Sequence, residues 1–110
     1  FPLCIYWFYI DGRPIGMGKL RLILTDKLRE EGGNIGYAIV PEARNKGYGS
    51  LLLTALLQEA NKKGLYEVLA TVRNENTASL KIAVTNGGKI EAVSEKRHYI
   101  WFYLNEIFST

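Results

Sequence analysis

The sequence predicts a single α/β domain, α+β in character, with a mixed sheet in the order β-β-β-α-β-α-β-β. Three observations carry the prediction. Between Gly47 and Gly64, Leu52, Leu53, Leu56, Leu57 and Ala60 fall on one side and Ser50, Thr54, Gln58 and Asn61 on one polar line, the 3.6-residue period of a helix. Strand-like segments, Asn34–Val40 and Tyr66–Val72, stand before and after it, and a strand–helix–strand order favours parallel pairing of the two strands. The length of 110 residues suffices for one domain and not for two.

The remaining elements follow in chain order. Cys4–Ile10 is an aromatic and β-branched run, a buried-strand signal. Asp11-Gly12-Arg13-Pro14 is a turn, because glycine permits positive φ and proline cannot join a ladder. Ile15–Leu24 reads as the paired strand, where Gly16 and Gly18 imply a bulge or a close backbone neighbour. Thr25–Gly33 is polar, a loop or short helical turn, and Ile35–Val40 is the third strand. The long helix runs from Gly47 to its stop at Gly64. Tyr66–Val72 is the fourth strand. Asn76 or Thr77 caps a second helix through about Asn86, closed by Gly87-Gly88. Lys89–Val93 and Arg97–Leu104 are two last strands joined by a charged hairpin.

Composition narrows the function classes. The apolar share of 47% supports an ordinary core, and a formal charge of +3 does not by itself indicate nucleic acid. The single cysteine, Cys4, excludes an internal disulfide framework and fits a reducing, cytoplasmic compartment. It reads as a buried structural residue rather than a nucleophile, since the lone histidine, His98, is far away in sequence. No apolar run reaches the roughly 20 residues of a membrane helix. Phe1–Ile10 has neither a basic leader nor a small-residue cleavage site, so it does not read as a signal peptide.

Pro41–Ser50 is the most informative segment. It joins a strand to a helix start and carries Arg44-Asn45-Lys46-Gly47-Tyr48-Gly49, of the form R-x-x-G-x-G. Small residues let the backbone approach a phosphate, and the first N–H groups of the helix point at it. No Lys-Ser or Lys-Thr follows the second glycine, so it is not a P-loop, and the third glycine of a dinucleotide fingerprint is missing. A second polar turn, Asn74-Glu75-Asn76-Thr77-Ala78-Ser79, ends the next strand, where ligands sit in open α/β sheets.

From about Tyr6 to Leu104 the chain resembles the GNAT superfamily of acetyl-CoA-dependent N-acetyltransferases. Gly33–Pro41 with Arg44–Ser50 is similar to the family's central strand and pyrophosphate loop, and Asn76–Ser79 with Asn86-Gly87-Gly88 to its later helix; bacterial members ending that helix in Asn-Gly-Gly are the most alike. The resemblance implies a parallel strand pair splayed around the coenzyme A site. It implies that N–H groups of Lys46, Gly47, Tyr48, Gly49 and Ser50 hold the pyrophosphate, with charge from Arg44 and Lys46. Ile39 and Val40 would bond the pantetheine arm through their backbone, and Asn76, with Ser79 beside it, would contact the arm or fix the loop. The plainer readings are a helix N-cap for Asn76, solvated charge for Arg44 and Lys46, and helix-face packing for Tyr48.

The chain also departs from the family pattern. Many members carry a proton-donating tyrosine on the later helix where Ala83 stands here; Ser79 and Tyr48 are substitutes to weigh. Residues 34–40 hold no carboxylate for a general base, and Tyr37 either lines the acceptor site or packs in the core. Glu30, Glu31 and Asp26 read as solvated loop charges. The strand and helices that usually precede the first hairpin are not in residues 1–110, so the acceptor wall is absent, left out, or supplied by a partner, and the exposed Cys4–Ile10 edge favours a homodimer. The expected activity is direct acetyl transfer from acetyl-CoA to a primary amine, on a small molecule or a protein, with an oxyanion donor near Ile39 or Val40 and no metal. An acyl-CoA-binding module without turnover is the alternative. A basic nucleic-acid-binding domain using the aromatic and basic strand Arg97–Tyr103 is a remote one.

Overall fold

In the computed structural model residues 2–108 are described; Phe1, the first residue of the N-terminal apolar run, lies outside them. Strand β1 (Leu3–Ile10) pairs antiparallel with β2 (Arg13–Arg21). The hairpin turn is Asp11-Gly12, with φ of 49° and 78°. Two left-handed residues in succession match the twist of the flanking strands, which is why Asp-Gly works there. Pro14 therefore joins the strand opposite Tyr9 instead of the turn, next to a register shift between Phe8 and Tyr9 that accommodates its missing N–H. After β2, Thr25 caps a short helix, α1 (Asp26–Glu30), by accepting from the Leu28 N–H at 3.2 Å.

Strand β3 (Ile35–Ile39) pairs antiparallel with β2, from Leu20 opposite Ile35 to Gly16 opposite Ile39. A single 3-10 turn (Pro41–Ala43) leads to helix α2 (Tyr48–Lys62), then β4 (Glu67–Arg73) and helix α3 (Thr77–Thr85). Strands β5 (Lys89–Val93) and β6 (Arg97–Tyr103) follow, with β6 in the middle of a second sheet ordered β4-β6-β5. The last strand stops at Tyr103. Leu104 donates its N–H to the Tyr66 carbonyl at 2.9 Å, is fully buried, and begins a one-turn helix, α4 (Leu104–Ile107). The α/β class and the predicted order hold, with α1 and α4 added.

Helix α2 forms the centre of the core. Leu52, Leu53, Leu56 and Leu57 are each 1% exposed and pack with Leu20 and Ile35 of the first sheet and Val68, Ile100 and Phe102 of the second. Cutting one such leucine to alanine costs about 2–5 kcal/mol. Gly18 marks a close approach, not a bulge: a Cβ there would lie 2.8 Å from Leu56 Cδ2.

The two sheets do not merge into one mixed sheet. Strands β1-β2-β3 and β4-β6-β5 form separate antiparallel sheets, so the parallel ladder expected between the third and fourth strands is replaced by a clasp at Asn34. Asn34 is 3% exposed. Its N–H donates to the Leu69 carbonyl at 2.7 Å, and its carbonyl accepts from the Arg21 N–H at 2.7 Å. Its side-chain Oδ1 accepts from the Leu69 N–H at 2.8 Å while Nδ2 donates to the Arg21 carbonyl at 2.9 Å. The side-chain amide thus acts as an extra peptide group between β2 and β4. Glycine is required beside it: Gly33 has φ of 62°, and a Cβ there would sit 2.4 Å from the Leu69 carbonyl oxygen. Beyond the clasp β3 and β4 separate.

Asn34→Ala leaves the Leu69 N–H and the Arg21 carbonyl without their side-chain partner. A loss of roughly 3 kcal/mol is expected, read as a lower urea midpoint at unchanged m-value. A loss below about 1 kcal/mol would mean that the two sheets hold together without the clasp.

Candidate functional site

The loop between β3 and α2 is shaped by two left-handed residues, Asn45 (φ 63°) and Gly47 (φ 82°). They swing the chain into α2 with Gly47 as N-cap and no side chain capping the helix. Leu51 bonds back to the Gly47 carbonyl at 3.4 Å, and the N–H groups of Tyr48, Gly49 and Ser50 precede the intrahelical ladder. This end of α2 therefore presents backbone donors and the positive end of the helix dipole. Arg44 Nε donates to the Ile39 carbonyl at 3.1 Å and ties the loop to the end of β3.

Two adjoining cavities open here. The outer one, about 530 Å³, runs between the loop and α3; Ile39, Arg44, Gly47, Tyr48, Gly49 and Ser50 line it. The inner one, about 190 Å³, fills the splay, with Ile35–Tyr37 on one wall and Ala70–Arg73 on the other. Tyr37, Asn76 and Ser79 line both.

Two predicted residues stand apart. Lys46 is exposed and is not among the lining residues. Val40 is spent on the sheet: its N–H donates to the Ile15 carbonyl at 2.8 Å. That bond and Arg21 N–H to Asn34 C=O mark the two ends of the β2–β3 ladder. Antiparallel alternation then makes Lys19/Gly36 and Met17/Ala38 the bonded pairs between them, so the N–H groups of Tyr37 and Ile39 point away from β2, into the splay. The donor pair that the strand offers is Tyr37 with Ile39, not Ile39 with Val40.

On α3, Asn76 takes the plain role: its Oδ1 accepts from the Ser79 N–H at 3.2 Å, an N-cap that also edges both cavities. Tyr37 is half-buried; burial pushes its phenol above the ordinary tyrosine value, and a hydrogen bond from Ser79 offsets part of the rise. Ala83, one turn beyond Ser79, is buried and lines the inner cavity, where its methyl group can donate no proton. Sequence reasoning missed Asn86 as a clamp. Its Nδ2 donates to Ser50 Oγ at 2.9 Å and to the Ile82 carbonyl at 2.8 Å, and its Oδ1 accepts from Thr54 at 3.2 Å. The signal was present in the polar line Ser50, Thr54 on α2, which needed a polar partner. Ser50 Oγ thus accepts a bond from the end of α3.

The other candidates are occupied elsewhere. Glu31 pairs with Arg97 at 2.8 Å, the Glu30 carbonyl accepts from the Tyr99 hydroxyl at 2.9 Å, and Arg29 lies over the Trp101 ring. These contacts fold the α1 loop over β6 and take up the aromatic and basic residues that suggested nucleic-acid stacking. His98 Nδ1 meets Asn74 Oδ1 at 2.7 Å; Asn74 spends its own Nδ2 on the Ser94 and Glu95 carbonyls, so His98 is the donor. No helix among the described residues is long and apolar enough to cross a membrane.

The family model for the acetyltransferase (GNAT) family matches residues 1–87, and the chain belongs to that family. Solved structures share the fold. A spermidine N-acetyltransferase SpeG chimera from Vibrio cholerae and hSSAT is 14% identical with a TM-score of 0.82, over 99% of this chain and 71% of that one. The enzyme AAC(6')-Ib, solved with ribostamycin and coenzyme A, is 15% identical with a TM-score of 0.81, over 99% and 69%. The protein yncA from Salmonella typhimurium, solved with its cofactor acetyl-CoA, is 19% identical with a TM-score of 0.72; this chain is covered to 91% and spans 64% of that protein. No curated protein sequence matches significantly.

Proposed function

We propose that the protein is an acetyl-CoA-dependent N-acetyltransferase that transfers the acetyl group to a primary amine by direct attack. The observation that carries this reading is the uncapped start of α2, opening on a groove that continues into the splay between β3 and β4. The coenzyme A bound to AAC(6')-Ib and the acetyl-CoA bound to yncA support the choice of donor. In this reading the pyrophosphate rests on the N–H groups of Gly47–Ser50, with charge from Arg44. The pantetheine arm lies in the splay and bonds to the Tyr37 and Ile39 backbone as an added strand would. The amine nitrogen attacks the thioester carbonyl, a β3 N–H holds the oxyanion, and the C–S bond breaks as the tetrahedral intermediate collapses. No carboxylate lines either cavity among the described residues, so the amine enters already unprotonated.

The proposal extends to the whole chain. Residues 1–110 are read as one cytoplasmic acyltransferase domain. An acyl-CoA-binding module remains the second reading, favoured by Ala83. Strand β1 is a sheet edge with Ile5, Trp7 and Tyr9 exposed, and a homodimer would cover it.

Two measurements test this. Coenzyme A titrated calorimetrically should bind, and Gly47→Val, which forces a branched residue into φ of 82°, should weaken binding on the order of tenfold or more with the circular dichroism unchanged. No binding by the parent protein, or equal affinity in the variant, would refute the site; binding without thiol release in an amine panel would select the module. For the dimer, sedimentation should give the mass of two chains and Trp7→Lys the mass of one. A single-chain mass for the parent protein at high concentration would rule it out.

A further inference from the structure

Direct transfer leaves one chemical requirement unassigned. When the tetrahedral intermediate collapses, the sulfur departs as a thiolate and needs a proton; an alkyl thiol has a pKa near 8.5. The donor has to reach the point where the outer and inner cavities meet. Three side chains line both: Tyr37, Asn76 and Ser79. Asn76 is an amide whose oxygen is taken by the Ser79 N–H. Ser79 is an aliphatic alcohol, far too weak an acid at neutral pH. A turn further along the same face of α3, Ala83 offers no proton. Only the phenol has acidity close to that of the leaving thiol.

We infer that the Tyr37 hydroxyl protonates the departing thiolate, with Ser79, which lines both cavities beside it, as the positioning residue. The inference rests on the acetyltransferase reading and assigns its acid. The acid comes from the strand wall of the splay rather than from α3.

Local packing supports the assignment. A Cβ on Gly49 would lie 3.8 Å from Tyr37 Cε2, an ordinary contact distance, so the ring sits beside the first turn of α2. Across the sheet its register partner is Gly18, which has no side chain. The charged and titratable groups lining the cavities with Tyr37 are Arg44 on the loop, Tyr48 on α2 and Arg73 at the end of β4; α3 contributes only Ser79 and Asn76 as polar groups. A tyrosine is protonated at neutral pH, and burial raises this phenol further, with Ser79 acting in the opposite direction.

The step balances. The amine forms the C–N bond and the C–S bond breaks. Sulfur takes the Tyr37 proton, and the proton shed by the amine nitrogen goes to water, from which the phenolate is restored. The products are the acetamide and the free thiol, with no oxidant, reductant or metal.

The test is steady-state thiol release from acetyl-CoA across pH, using the fastest primary amine of a panel, or water if no amine accelerates it. The acid works in its protonated form, so kcat should fall as pH rises through the raised phenol pKa. Tyr37→Phe should lower kcat roughly 10²- to 10⁴-fold, keep calorimetric coenzyme A affinity within about threefold, and lose the alkaline limb. Ser79→Ala removes a contribution that lowers the phenol pKa, so its alkaline limb should move to higher pH, which a packing defect would not do. Full kcat in Tyr37→Phe with coenzyme A still bound would overturn the acid role alone. So would an unshifted limb in Ser79→Ala. Absence of coenzyme A binding in the parent protein would remove the acetyltransferase reading and this role with it.

Discussion

The rest of the structure depends on one buried amide. Asn34 joins the first sheet to the second with its backbone and its side chain together, and in doing so replaces the ladder that two adjacent parallel strands would form. A continuous ladder would close the space between β3 and β4. The clasp holds the strands at one end and leaves them free to diverge toward the other. Since its four bonds satisfy the backbone groups of Arg21 and Leu69 as well as its own, the opening leaves no unpaired backbone at the joint.

Everything at the site follows from that divergence. The N–H groups of Tyr37 and Ile39 face the gap because the alternation of the β2–β3 ladder turns them there. The α2 start stands at the mouth of the same gap, since the left-handed residues Asn45 and Gly47 bring the chain round at the end of β3. Asn86 then fixes α3 against α2 through Ser50 and Thr54, which sets the outer groove's second wall. Backbone donors, a few neutral polar side chains and the two arginines Arg44 and Arg73 define the cavities, with no carboxylate among the lining residues. That fits a bound thioester whose recognition relies on backbone donors.

Much of this was legible in the sequence, for physical reasons that differ by element. The apolar face of α2, the Gly64 stop and the Asn76 cap rest on local periodicity and local hydrogen bonds, so they could be read residue by residue. The phosphate-type loop could be read because the small residues Gly47 and Gly49 stand between a strand and a helix start. Asn34 could not, because its role lies in partners at Arg21 and Leu69 that no local pattern reveals. The same limit applied to Val40: which N–H groups of a strand are free depends on register, and a shift of one residue reverses the answer. Lys46 looked useful by charge, yet the left-handed turns on either side leave it in solvent. Glu30 and Glu31 lie near the strand in sequence but are drawn to Tyr99 and Arg97 across the other face of the second sheet.

Amide hydrogen exchange on the free protein and with coenzyme A added tests the central claim most directly, because it reads the splay and its occupant together. The Tyr37 and Ile39 amides should exchange readily in the free protein and become protected with coenzyme A, as should those of Gly47–Ser50. The Val40, Leu69 and Asn34 amides should be protected in both states. Protection of Tyr37 and Ile39 in the free protein, or no change on adding coenzyme A, would contradict it.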